Sequence, residues 1–91
     1  LSGAWRGKKP IQRNAVIALG FFREEAALPE LGEMLLTDPR PDMRAISAWA
    51  IGQIHSADGK RLLTEALEKK QKQEVLAEID KAITNVSSDH R

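Results

Sequence analysis

Four cations within eight positions, Arg6, Lys8, Lys9 and Arg13, are the side chains of this sequence best suited to chemistry at a phosphate. No acid lies among them, and the first acidic residue is Glu24. A lysine or arginine beside a phosphodiester releases condensed counterions, so clustered cations attract polyanions with an affinity that falls steeply with salt. Gln12 and Asn14 lie in the same stretch and carry both donors and acceptors, the groups that meet a base edge. Trp5 offers a face on which an unstacked base can lie, an interaction of about 1–3 kcal/mol per base. Arg40 and Arg44 bracket the start of a later helix, where a second basic contact could form. Each residue also has a plainer reading. The basic run could be a solvated linker or a domain-docking surface. Asn14 could bond between helices, Trp5 could plug the end of the first repeat, and the two arginines could hold the turn before them. Trp49, at the edge of an apolar stripe, is expected to pack between repeats.

Outside these residues little could carry out a reaction. There is no cysteine, which removes disulfides, zinc–thiolate and iron–sulfur ligation and a thiol nucleophile from this chain. His55 and His90 are far apart in sequence. Glu24-Glu25 and Glu74/Glu78 have no neighbouring histidine or metal-ligand cluster, so helix-start and surface roles suit them better. No serine-nucleophile motif or glycine-rich phosphate loop is present. The expectation is no catalytic residue and no metal site in these 91 residues.

The charge is unevenly distributed. Residues 1–23 hold five Lys/Arg and no acid, whereas the remainder holds nine Lys/Arg against thirteen Asp/Glu, a balance of −4. A net charge of +1 therefore hides a basic end and a mildly acidic body. Hydrophobic residues at 42% and charged residues at 30% describe a globular chain with one small core. No apolar run approaches the ~20 residues needed to span a bilayer. The absence of cysteine fits a reducing compartment, and the expected location is the cytoplasm. The start at Leu1 and the abrupt basic segment suggest a piece of a longer protein.

The elements that must position these side chains are helices in a repeat. Ala18-Leu19, Ala50-Ile51 and Ala82-Ile83 stand 32 residues apart. Extending the register gives Ile11, Ala15, Ala18, Leu19 and Phe22, then Met43, Ser47, Ala50, Ile51 and Ile54, then Val75, Ile79, Ala82, Ile83 and Val86. Each set follows i, i+4, i+7, i+8, i+11, one face of an α-helix. A second stripe, Leu28, Leu31, Met34 and Leu35, is matched by Leu63, Ala66 and Leu67. Pro10, Pro29 and Pro41 suit first-turn positions, and Asp38 and Ser56 suit N-caps. The spacing predicts helices near 10–22, 26–36, 41–54, 58–70 and 73–86. Helix pairs at a fixed period stack into an α-solenoid. The predicted fold is therefore all-α, a right-handed stack of short HEAT-like repeats. Residues 1–9 form a basic lead-in, and copies lie near 10–37, 41–70 and 73–86. The small face Ala45, Ala48 and Gly52 should admit a close neighbour. Its counterparts Ala77, Asp80 and Thr84, with Lys81 in place of Ile17 and Trp49, should make the third copy the polar end of the stack.

Trp5-Arg6-Gly7-Lys8-Lys9-Pro10, Gln12-Arg13-Asn14-Ala15 and Ala18-Leu19-Gly20 resemble the start of the C-terminal HEAT-like region of the bacterial epoxyqueuosine reductase family. The likeness continues through Asp38-Pro39-Arg40-Pro41, Arg44, Ala48-Trp49-Ala50-Ile51-Gly52 and Glu74-Val75-Leu76-Ala77-Glu78-Ile79. The resemblance implies a parent oxidoreductase that reduces epoxyqueuosine at the tRNA wobble position. It implies that cobalamin and iron–sulfur clusters are held by upstream domains, and that these repeats help hold the tRNA anticodon region. On this reading Trp5, Arg6, Lys8, Lys9, Gln12, Arg13, Asn14, Arg40 and Arg44 are the expected nucleic-acid contacts. The upstream catalytic domains are expected as partners in the same polypeptide. Two alternatives stay open: a protein–protein scaffold, and a domain that docks within its own polypeptide.

Overall fold

The computed structural model describes residues 12–87, and among them are five α-helices and no strand. The helices are α1 (Arg13–Phe21), α2 (Leu28–Thr37), α3 (Pro41–Ile54), α4 (Ala57–Leu67) and α5 (Gln73–Ser87), with a single 3-10 turn at Glu25–Ala27 before α2. The all-α repeat fold expected from the 32-residue spacing is the fold observed. Helices α1, α3 and α5 pack on one another in one row, and α2 and α4 form a second row beside them.

Local chemistry explains most of the boundaries. Pro29 and Pro41 sit in the first turns of α2 and α3, where no amide partner is required. Ser56 caps α4, its Oγ accepting from the Gly59 amide at 3.1 Å. Asp38 does not cap α3 as expected. Arg40 occupies that position, and the Asp38 carboxylate instead accepts from the Arg40 amide at 2.9 Å. Helix α4 stops at Leu67, three residues short of the expected 70, because Glu68 and Lys69 donate to Glu65 and Ala66 in a tightening last turn. Two α-helices of the first row end with a left-handed residue close behind. Arg23 has φ 53° and His55 φ 57°, again 32 residues apart.

The core lies between the rows. Leu31, Leu35, Ile51, Leu63 and Ile79 are fully buried, each contributing about 1.5–3 kcal/mol of transfer free energy. The seam between successive first-row helices is set by glycine and alanine. A Cβ at Gly20 would come within 2.8 Å of Ala50 Cα, and one at Gly52 within 2.9 Å of Ala82 Cα. The two contacts are related by the same 32-residue step. Trp49 packs over the first of them, its ring 2.8 Å from that Gly20 Cβ position, which is the inter-repeat role expected of it. Asn85 fastens the second seam by donating to the Gly52 carbonyl at 3.3 Å.

One stripe departs from the expectation. Ala15, Ala18 and Phe22 are exposed, Phe22 by 74%, whereas Val16 and Gly20 are the buried residues of α1. The counterparts Ser47, Ala50 and Ile54 in α3 are buried. The reason is position in the stack. This face of α3 lies on the preceding repeat, and the described residues supply no preceding repeat for α1. Leu67 departs similarly, at 39% exposure, because it ends its helix. Ile11, Pro10 and the basic lead-in lie outside the described residues.

Candidate nucleic-acid interface

Alternating helix directions divide the stack into two edges. The start of α1, the α2–α3 turn and the α4–α5 turn share one edge. A groove of about 420 Å³ confirms the alignment, since it is lined by Arg13 of α1, Asp42 of α3 and Glu74 of α5, all first-turn residues. The edge therefore gathers Gln12, Arg13, Arg40, Arg44, Lys69, Lys70 and Lys72.

The expected contact residues occupy distinct settings. Gln12 precedes α1; its carbonyl accepts from Ala15 and Val16, and its side chain makes no cap hydrogen bond and is exposed. Arg13 and Asn14 are exposed on the first turn. Arg40 forms a fork with Asp38: Nε donates to Oδ1 at 3.0 Å and Nη2 to Oδ2 at 2.9 Å. The hydrogen bond from the Arg40 side chain is the chief reason the Asp38 carboxyl lies below its ordinary value of 3.8; its partial burial opposes the shift. Arg40 is correspondingly raised by that same bond. Arg44 is half-buried and structural in its bonding. Its Nη1 donates to the Asp38 carbonyl at 2.6 Å and its Nε to Gln71 Oε1 at 3.1 Å. Gln71 in turn donates from Nε2 to the Ala66 carbonyl at 3.2 Å. Arg44 thus ties the α2–α3 turn to the α4–α5 turn. Trp5, Arg6, Lys8 and Lys9 lie outside the described residues.

The groove beneath this edge is not basic. Arg13 and the apolar Ile17, Ala45, Ile46 and Trp49 share it with Asp42, Glu74 and Glu78. A neighbouring hollow lined by Trp49, Gln53, Asp80, Lys81, Thr84 and Asn85 is also mixed in charge. A polyanion would therefore be drawn to the turns, not to the groove floor. Lys69, Lys70 and Lys72 are not among the contacts expected from sequence. The repeat register could have found one of them: Lys8, Arg40 and Lys72 stand at steps of 32 residues, and Arg40 and Lys72 each immediately precede a helix. Among the described residues no group of three His, Asp or Glu side chains is arranged to hold a metal ion, and no helix is long and apolar enough to cross a membrane.

Comparison with known proteins places this geometry in a lineage. A family model for HEAT repeats matches residues 6–84. Epoxyqueuosine reductase from Bacillus subtilis (strain 168) is 52% identical over 83 residues, covering 91% of this chain and 22% of that protein. The Listeria monocytogenes enzyme of the same name is 42% identical over 79 residues, covering 87% of this chain and 21% of that protein. The chain thus spans about a fifth of the length of these relatives. A crystal structure of epoxyqueuosine reductase with a tRNA-Tyr epoxyqueuosine-modified stem loop superposes with a TM-score of 0.79 at 50% identity, over 94% of this chain and 23% of that one. A second structure, of the Bacillus subtilis enzyme with a catalytic loop swung out of the active site, gives 0.77 at 51% identity, over 92% of this chain and 23% of that one. Helix order, the glycine–alanine seam and these matches agree that the chain belongs to the HEAT-repeat family and is homologous to the C-terminal region of epoxyqueuosine reductase.

Proposed function

We propose that this chain is the non-catalytic, tRNA-facing module of an epoxyqueuosine reductase acting in queuosine biosynthesis in the cytoplasm. Its basic edge grips the phosphates of the anticodon stem-loop. The observation that carries the reading is the match, over 94% of the chain, to a reductase structure containing a tRNA stem loop. The concentration of cations at one edge supports it, since phosphate contacts fix register and orientation without reading sequence. Arg13 is the described cation best placed to reach a phosphate, with Arg6, Lys8 and Lys9 preceding it in sequence. Gln12 and Asn14, exposed on the same turn, are proposed to contact sugar or base edges, and Trp5 to stack on a base. Arg40 presents its outer guanidinium face while held by Asp38, and Arg44 sets the turn beneath it. The reduction itself belongs to the rest of the parent. This chain has no cysteine to ligate an iron–sulfur cluster, and cobalamin is assigned to the same upstream domains.

The test is titration of an anticodon stem-loop at several salt concentrations. The logarithm of the affinity should fall with a slope of about −0.7 per phosphate contact for single-stranded segments. Replacing Arg6, Lys8, Lys9 and Arg13 together by alanine should weaken binding and flatten that slope. Salt-independent binding, or a quadruple variant indistinguishable from the parent sequence, would overturn the reading. One observation favours a second role beside it. The exposed Ala15, Ala18 and Phe22 form a face that is buried in the next copy, which suits docking against another part of the same polypeptide.

A further inference from the structure

We infer that the α4–α5 turn is a second phosphate-binding station, in which Lys69, Lys70 and Lys72 hold the RNA backbone beside Arg40. The inference rests on the RNA-binding reading above and extends it to residues that reading does not include. Three observations carry it. The turn lies on the same edge as Arg13 and the α2–α3 turn, so one strand can pass along all three. It is fixed in place: Gln71, between Lys70 and Lys72, donates to the Ala66 carbonyl and accepts from Arg44, whose other bond reaches Asp38. Lys72 is further held at its carbonyl by the Val75 and Leu76 amides. The three lysine side chains therefore project, exposed, from an ordered backbone. The entropy lost on binding is confined to the side chains, which favours charge capture by this turn over a free tail.

The third observation is the charge pattern. Arg40 and Lys72 occupy the same repeat position, each just ahead of a first-row helix, where the amide ends of α3 and α5 add a partial positive charge. Acids on this edge are Asp38, already bound to Arg40, with Asp42, Glu68 and Glu74. Against them stand Arg13, Arg40, Arg44, Lys69, Lys70 and Lys72, leaving the edge net positive within an acidic body. Successive helices of a row sit about 8–10 Å apart. Repeat-encoded cations thus form a ladder running across the stack and along a phosphate backbone, whereas the groove beside it, which Arg13 shares with Asp42, Glu74 and Glu78, is not basic.

The deciding measurement compares two triple variants in the full-length protein, using an anticodon stem-loop RNA at graded salt. Lys69→Ala/Lys70→Ala/Lys72→Ala removes the station. Arg23→Ala/Lys60→Ala/Arg61→Ala removes the same charge from the opposite edge, where α1 ends and α4 begins. The first should weaken binding roughly tenfold at low salt and make the salt slope shallower by about 0.7 for each lost contact, whereas the second keeps the original slope. Melting temperatures of both should stay near the starting value, since every replaced side chain is exposed. If the two variants bind alike while the unmodified protein keeps its steep slope, the station is refuted and the wider RNA reading stands. If the unmodified protein shows no salt-dependent binding, both fall together.

Discussion

Arg40 and Arg44 are four residues apart and carry the same group, yet the structure separates their roles. Arg44 is committed inward to a carbonyl and an amide oxygen, whereas Arg40 is held from one side only, by the Asp38 carboxylate. The sequence marked both as basic residues at a helix start. It could not show that Asp38 would meet both the amide and the guanidinium of Arg40, because a carboxylate before a helix start can as well accept from the amides of the first turn. Asp38 gives a pH prediction. Its carboxyl is lowered in the folded state, so its contribution to stability is complete above the ordinary value of 3.8 and is lost as pH falls through the lowered folded value. Asp38→Asn should melt at a lower temperature than the unmodified chain at pH 7. The gap should begin to narrow below pH 3.8 and close once the pH has fallen through the lowered folded value, where the native carboxyl is itself protonated. A gap that persists unchanged into strong acid would show that the charge is not what holds the turn.

At the scale of the helix, the seam between first-row helices decides which glycines are replaceable. Gly52→Ala gains about 1 kcal/mol of helix propensity, but its new methyl meets the Ala82 backbone at 2.9 Å, and overpacking of this kind costs about 1–3 kcal/mol. The difference is a net loss of up to about 2 kcal/mol, read in urea unfolding. Gly32→Ala is the useful comparison. There the methyl meets only the tip of Leu62, which can turn aside, so that variant should match or exceed the original stability. This seam was largely legible beforehand. The 32-residue spacing of Ala18, Ala50 and Ala82 predicted the repeat, and the small face Ala45, Ala48 and Gly52 predicted close approach of a neighbouring helix. The end of α4 was not legible, because the apolar stripe continues to Leu67 while the turn chemistry of Glu68 to Lys72 depends on Arg44, distant in sequence.

Across the whole molecule, a residue's position in the stack matters as much as its position in the repeat. Phe22 and Ile54 are register equivalents, yet one is 74% exposed and the other 5%. Ile54→Ala should therefore cost about 2–5 kcal/mol, whereas Phe22→Ala should stay within about 0.5 kcal/mol, as surface substitutions do. Equal losses from the two in denaturant unfolding would mean that α1 has a cover in solution. Periodicity identified which side chains share a face of α1, but a period carries no information about what lies opposite that face. The same limit applied to charge. The early basic cluster was conspicuous as a run, whereas the cations at Arg40 and at Lys69 to Lys72 become one surface only after alternate helices are aligned.

The glycine–alanine seam also restricts how copies of the chain can associate. It is a heterologous joint, with glycine on one side and alanine on the other, so a twofold axis cannot use it: alanine would face alanine and glycine would face glycine. Copies could join through it only head to tail, the geometry that grows into open fibres. Among the described residues no helix covers Ala18, and on α5 Thr84 and Asp80 stand at the register positions that Gly52 and Ala48 hold on α3. A side chain branched at Cβ fills the gap that the next helix would need, and a carboxylate would be buried beside it. The outer face of α5 therefore cannot repeat the glycine–alanine contact that joins α1 to α3 and α3 to α5.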